Sequence, residues 1–146
     1  MRNVGVALAG LALVLGLGIG GSADETMPAF KVVVNPSITG QKLPREVLAQ
    51  IYLGTAQRWG DGRPIVPVDR SITASLREAF AGAVLGMPVA GLQSYWLRNI
   101  ANGKRPPMIK GSDEEVIAFV ASEPGAVGYV SDSAAVPSTV RVVAIQ

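Results

Sequence analysis

The sequence contains no cysteine and no histidine among its 146 residues. The missing cysteine excludes a disulfide-stapled domain, a thiol nucleophile and any zinc finger or iron–sulfur cluster built on thiolates. The missing histidine excludes a Ser–His–Asp triad and leaves only oxygen ligands for a metal ion. We therefore expect a binding protein rather than an enzyme, with no metal and no cofactor.

An excess of charge of one sign is also missing. Lys and Arg number 13 and Asp and Glu number 11, which gives a net charge of +2. An excess this small creates no strong field for DNA, RNA or an anionic membrane. The basic residues are scattered, and the one compact basic spot, Lys104–Arg105, is expected to be solvated. The sequence therefore predicts no nucleic-acid partner.

The N-terminus has the three parts of a secretory signal peptide. A basic leader, Met1–Asn3, precedes the uncharged run Val4–Ile19, and small residues follow as far as Ala23. We expect cleavage after Ala23, so that residues 1–23 are the signal peptide and residues 24–146 form one periplasmic or secreted domain. The alternative is an uncleaved anchor, but this run spans only about 24 Å as a helix, short of a hydrocarbon core of about 30 Å. We therefore expect no stable membrane anchor after cleavage.

Short β-branched runs alternate with helical patterns along the rest of the chain. The strand patterns lie at residues 30–34, 65–68, 108–110, 126–130 and 140–145. Pro67 in the second of them favours a sheet edge or a strand terminus, because proline cannot donate a ladder hydrogen bond. The alternation predicts an α/β fold, with a mixed, mostly parallel sheet flanked by helices.

Two helix starts carry candidate caps. Ser112 and Glu115 form a capping box, and the acidic first turn that contains Asp113 is interpreted as a solvated helix start. At the middle helix, Ser75 and the glutamate three residues later match the same box, and Thr73 is an equally good cap.

A strand, a hydroxyl-rich loop and a helix start follow one another in the middle of the chain. This order can form an oxyanion site, because the first N–H groups of a helix have no partner within it. The loop offers the hydroxyls of Ser71, Thr73 and Ser75, and Arg70 offers a planar fork for phosphate or carboxylate. The other interpretation is structural: the hydroxyls cap the helix, and Arg70 pairs with Asp69 or with solvent.

Ser37 follows the first strand and extends this candidate site by topology alone. Ligands of open α/β sheets bind at the carboxyl ends of the strands, so Ser37 and Thr39 are expected to face the same crevice.

The order of several segments carries a family resemblance. The segments are Leu43–Gly54, then Trp59, then Ile65–Arg70, and later Glu123–Val130. They resemble one lobe of the periplasmic phosphate-binding proteins of ABC phosphate importers, which have the type II periplasmic-binding-protein fold. The counterpart in that family is a helix ending in a leucine–glycine turn, a tryptophan, a strand leading into an Arg-Ser loop, and a Pro-Gly-Ala-Ile-Gly-Tyr segment. The resemblance runs over nearly all of the mature chain.

The resemblance implies that Arg70, Ser71, Thr73 and Ser75 lie in the anion-binding loop. The family's loop continues as Gly-Ser-Gly-Thr, whereas Ile72 to Ser75 contains no glycine, and each Cβ limits close approach of the backbone. The family also has two lobes, and this chain has the length of one. From chemistry rather than from the family pattern, Asp69 is a candidate acceptor for the proton of hydrogen phosphate, which would reject sulfate.

These observations support an exported protein that binds phosphate or a similar small anion and works as an ABC transporter component or a sensor. The alternative is a non-catalytic interaction module that kept the lobe and lost the ligand, for which a homodimer is the natural expectation. A third hypothesis, a hydrolase that uses Ser71 or Ser75, lacks an evident base.

Overall fold

A computed structural model describes residues 29–146, so the predicted signal peptide lies outside the described residues. Six strands and four helices alternate along this part of the chain: β1 (Phe30–Val34), β2 (Lys42–Leu43), α1 (Arg45–Tyr52), β3 (Val66–Arg70), α2 (Ser75–Phe80, continued by a π-helical turn, Ala81–Leu85), α3 (Val89–Ala101), β4 (Met108–Lys110), α4 (Asp113–Ser122), β5 (Ala126–Ser131) and β6 (Arg141–Ile145). Within residues 29–146, we find no helix with the length and apolarity needed to traverse a bilayer.

The six strands form one sheet in the order β2-β6-β1-β5-β3-β4. β1 runs antiparallel to both of its neighbours, whereas the β2–β6, β5–β3 and β3–β4 pairs are parallel. Five of the six strands therefore point the same way. The predicted α/β class, with a mixed and mostly parallel sheet, is confirmed.

Helices cover both faces of the sheet, because side chains alternate between the faces along each strand. On one face, Phe30, Val32 and Val34 of β1 pack in a core that includes Tyr52 of α1 and Phe80 of α2. On the other face, Val33 joins a second core; its members on α4 are Val116 and Val120. We call these the α1/α2 face and the α4 face.

The predicted strands are confirmed, with end positions shifted by a few residues at most. The expectation that Pro67 lies at a sheet edge or a strand terminus is confirmed for the terminus: β3 lies between β5 and β4, and Pro67 is its second residue. Proline is tolerated there because β4 pairs with β3 only from Val68 onward. The short β2 strand was not predicted, since two residues carry no readable period.

The predicted caps have different outcomes. At α2, the cap position belongs to Ala74, which makes no side-chain cap, so neither Ser75 nor Thr73 plays that role. At α4, Ser112 Oγ accepts from the Glu115 N–H at 3.2 Å, as predicted. The carboxylate of Glu115 accepts instead from the N–H of Gly111, one residue before the cap, at 2.7 Å.

Candidate functional site

The last two residues of β3 send charged side chains to opposite faces of the sheet. Asp69 points to the α1/α2 face and Arg70 to the α4 face, in keeping with strand alternation. Both residues are more than nine-tenths buried, with exposures of 3% and 7%. Buried charges need partners, so the contacts of each residue decide what it can do.

Asp69 belongs to an inner cluster with Arg77 and Tyr129. Its Oδ1 accepts from the Tyr129 hydroxyl at 2.5 Å and from the N–H of Arg70 at 2.8 Å. Its Oδ2 lies 3.3 Å from Nε of Arg77, an ion-pair contact without hydrogen-bond geometry. Burial, and then the negative charge of Asp69, raise the pKa of Tyr129 far above its usual value, so this tyrosine stays a hydrogen-bond donor.

This placement corrects the interpretation of Asp69 as a ligand group. A carboxylate that is 3% exposed and already holds these partners on the core side cannot meet a phosphate at the strand end. Asp69 ties β3 to α2 and β5 instead, since Arg77 lies on α2 and Tyr129 on β5.

Arg70 forms an outer cluster with Asp113, the first residue of α4. Nη1 of Arg70 donates to Asp113 Oδ1 at 2.6 Å, and Nη2 donates to the carbonyl oxygen of Gly111 at 3.4 Å. The same Oδ1 accepts from the N–H of Ser131 at 3.0 Å. Burial alone would raise the pKa of Asp113, but the hydrogen bonds from Ser131 and Arg70 outweigh it and hold that pKa below its usual range.

Asp113 is the residue that sequence reasoning missed, because its acidic neighbours suggested a solvated helix start. The position of Asp113 beside Arg70 follows from the strand topology rather than from the local sequence pattern. β4 is parallel to β3 and pairs Lys110 with Arg70, so the turn after β4 reaches the carboxyl end of β3. The alternative pairing of the Arg70 side chain with Asp69 is also wrong, since only the backbone N–H of Arg70 contacts that carboxylate.

The loop between β3 and α2 forms the polar part of this strand end. Ser71 Oγ lies 3.3 Å from Thr73 Oγ1, and Ser75 follows as the first residue of α2. Ser71 is half-buried, whereas Thr73 and Ser75 are exposed. Ile72 is 49% exposed rather than packed into the protein. Arg70, Ser71, Thr73 and Ser75 thus follow one another at the carboxyl end of β3, and among their side chains a contact joins those of Ser71 and Thr73.

Ser37 lies at the other edge of the sheet, so its inclusion in the site is wrong. β1 runs antiparallel, and its last residue, Val34, pairs with Val127 near the start of β5. The backbone N–H of Ser37 bonds to the Asn35 side chain at 2.9 Å, which makes it part of a turn. Thr39, two residues further along, follows the same turn.

Acidic clusters and surface hollows are the other places where a ligand could bind. Among residues 29–146, no group of three or more acidic side chains is placed to hold a metal ion. A wide hollow opens away from the strand end, between the ends of α1 and α3; Trp96, Lys104 and Pro107 are among its lining residues.

Comparisons with known proteins identify the fold. No protein-family model matches the chain, and a search of curated proteins finds no match. Solved structures do match. An ABC-type phosphate transport receptor from Vibrio cholerae has a TM-score of 0.62 and 20% identity over 80% of this chain and 47% of its own. The fold is that of a phosphate-binding-protein lobe.

Two more structures agree with this assignment. A phosphate ABC transporter substrate-binding protein with bound phosphate, from Clostridium perfringens, has a TM-score of 0.62 and 20% identity over 80% of this chain and 44% of its own. PstS from Borrelia burgdorferi has a TM-score of 0.66 and 18% identity over 81% of this chain and 47% of its own. The chain thus spans less than half the length of each of these phosphate-binding proteins. The family resemblance seen in the sequence is confirmed at the level of the fold.

Proposed function

We propose that the chain is an exported, non-catalytic binding protein that holds phosphate or a similar small oxyanion beside the loop after β3. In this proposal, residues 1–23 are a cleaved signal peptide, and the protein serves an ABC transporter or a sensor. The observation that carries the proposal is the polar strand end itself: two hydroxyls 3.3 Å apart in the loop that directly follows Arg70, at the end of the sheet where β3, β4 and β5 run parallel. Ligands of open α/β sheets bind at such carboxyl ends.

The chemistry of the loop suits an oxyanion. Ser71 and Thr73 each have one hydroxyl proton. One hydroxyl donates to the other at 3.3 Å in the structure, and both could donate to one anion once that mutual hydrogen bond is broken. Arg70 precedes them in the chain and carries a positive charge, and the side chain of Ile72, which lies between them in the sequence, is 49% exposed. The Clostridium perfringens structure, which has the same fold over its matched part and contains bound phosphate, supports the proposal.

The affinity is expected to be modest. A single lobe buries only part of a ligand that two lobes would enclose, and Asp113 already neutralises Arg70. We expect a dissociation constant of roughly 1 mM, which corresponds to about 4 kcal/mol of binding free energy.

Catalysis has no support at this site. The hydroxyl of Ser71 has another hydroxyl, that of Thr73, as its neighbour rather than a base. Both nearby carboxylates, Asp69 and Asp113, are held by arginines. A serine nucleophile needs an adjacent base to be activated.

Calorimetric titration with phosphate and with sulfate tests the proposal. We expect saturable heat from the native protein and at least about tenfold weaker binding in a Ser71→Ala, Thr73→Val double variant, because two donors are lost. Ser94→Ala, at an exposed serine on α3, is the matched control and should bind as the native protein does. No heat with either anion at millimolar concentration would refute the proposal.

One observation favours a second candidate, a non-catalytic interaction or dimerisation module. Because the Arg70 fork is already occupied by Asp113, the charge that would attract an anion is largely neutralised. The exposed Ile72 then becomes a contact point for a second copy. Light scattering at micromolar protein should reveal a dimer that Ile72→Asp disrupts; a monomer that binds anions would contradict this candidate.

A further inference from the structure

Arg70 is a buried guanidinium whose hydrogen bonds are incompletely satisfied. Nη1 donates to Asp113 Oδ1 at 2.6 Å, whereas the contact of Nη2 with the Gly111 carbonyl is long, at 3.4 Å. Nε is buried and has no hydrogen-bond partner among the described residues. A guanidinium has five N–H donors, so this one retains the capacity to bind another acceptor.

Asp113 is held in front of Arg70 by contacts from three elements. Its Oδ1 accepts from Arg70 at the end of β3 and from the Ser131 N–H at the end of β5, while its backbone begins α4. Its side chain is 21% exposed, against 8% for that of Arg70. Asp113 is therefore the more exposed member of the pair, and its carboxylate already takes an N–H of the guanidinium that an external anion would use.

We propose that Asp113 limits the anion affinity of the candidate site, because its carboxylate pairs with the Arg70 guanidinium in place of an external oxyanion. This inference rests on the proposed function, because it concerns the same strand end. In this proposal, the Asp113 carboxylate acts as an internal anionic partner of Arg70 and keeps the affinity of the protein for free phosphate and sulfate low.

The proposal depends on the charges at the carboxyl end of β3. A carboxylate and an oxyanion compete for the same planar donors, and like charges within a few ångströms repel. Asp113→Asn removes the charge and keeps the size of the side chain, so Arg70 can offer its positive charge to a bound anion. We expect the affinity for phosphate and for sulfate to rise about 10-fold to 100-fold, as for one charged hydrogen bond gained.

The experiment compares the full protein with three variants by titration with inorganic phosphate and, separately, sulfate. Asp113→Asn tests the proposal, and Asp113→Glu should restore the low native affinity because it keeps the carboxylate. Asp132→Asn removes an exposed carboxylate just beyond β5 and serves as the matched control. If Asp113→Asn fails to fold, as judged by circular dichroism, Asp113→Ser replaces it, since serine also removes the charge and keeps a polar oxygen on the first residue of α4.

Each outcome has a defined meaning. Tighter binding by Asp113→Asn, with Asp132→Asn unchanged, supports the inference; a merely structural role would produce a loss rather than a gain. Equal or weaker binding by Asp113→Asn, in a native protein that does bind, overturns the inference and leaves the proposed function standing. Binding by Asp113→Asn alone supports the inference and refutes anion binding by the native chain. Binding by neither protein refutes both.

Discussion

The inner and outer clusters start from adjacent residues of one strand, yet their surroundings differ. The inner cluster encloses Asp69, which is 3% exposed and contacts Arg77 and Tyr129 in the core. The outer cluster joins Arg70 to Asp113, whose side chain reaches solvent. Strand alternation separates them, so one strand end carries a carboxylate paired in the core on the α1/α2 face and a guanidinium paired with a partly exposed carboxylate on the α4 face. Asp69 and Arg70 are both buried, and the difference between the clusters lies in the exposure of their partners, 10% for the side chain of Arg77 and 21% for that of Asp113.

The largest loss of stability is expected when the carboxylate of Asp69 in the inner cluster is replaced. Asp69→Asn leaves the charge of Arg77 buried without a counter-ion, and breaking such a buried pair costs about 3–5 kcal/mol. The free energy of unfolding, from urea titration followed by circular dichroism, measures this loss. Asp132→Asn should change it by less than about 0.5 kcal/mol. A similar small change for Asp69→Asn would remove the structural role given to the inner cluster.

Two buried tyrosines allow a comparison, within one core, of the stability gained from a hydrogen bond to a charged group and from one to a neutral group. Tyr129→Phe removes the donor to Asp69, and we expect a loss of about 2 kcal/mol of unfolding free energy. Tyr52→Phe is the matched variant, because its hydroxyl donates at 2.8 Å to the neutral carbonyl oxygen of Val68, and should cost about 1 kcal/mol. Both rings remain, so packing against Phe80 is preserved. Equal losses in denaturant titrations would mean that the charge of Asp69 adds nothing.

The outer cluster should contribute less stability than the inner one. Asp113→Asn at neutral pH is expected to cost about 1.5 kcal/mol, because solvent beside Asp113 weakens the attraction to Arg70. A double-mutant cycle with Arg70→Met isolates the coupling between the two side chains. Additive effects of the two substitutions would show that the ion pair stabilises nothing.

Low pH should remove the stability that the carboxylate of Asp113 contributes. The pKa of Asp113 is lower in the folded protein than the value of about 3.9 for an unfolded chain, so its stabilisation is complete above that value. It is lost as the pH falls through the lower folded pKa. The stability difference between the native protein and Asp113→Asn should therefore shrink between about pH 5 and the folded pKa. An undiminished difference in urea titrations near pH 3 would contradict the assignment.

The smallest stability effect is expected in the loop itself. Ser71→Ala and Thr73→Val should each change the unfolding free energy by less than about 0.5 kcal/mol, because these hydroxyls lie at the surface and bond to each other. Thermal denaturation checks this. A larger loss would mean that the hydroxyls support the fold, as Asp69 does.

Local patterns in the sequence predicted most of the fold and only part of the site. The β-branched runs and the Ser112 cap depend on neighbours along the chain, and both were readable. The direction of β1 depends on pairing with β5 and β6, about a hundred residues away, so Ser37 was assigned to the wrong edge. The Arg70–Asp113 pair joins residues 43 positions apart and could be inferred only from the β3–β4 register. Strand alternation predicts that the side chains of Asp69 and Arg70 point to opposite faces of the sheet, but it does not predict which of them points to the α1/α2 face.

The central claim is that phosphate binds beside the loop after β3. The most direct test is to titrate the isotope-labelled protein with phosphate and to follow each backbone amide by nuclear magnetic resonance. The account predicts saturable shifts at the amides of residues 70–76, with none at Ser37 or at Lys104 beside the wide hollow. Saturable shifts centred on Lys104 and Arg105, with the loop after β3 unmoved, would contradict it.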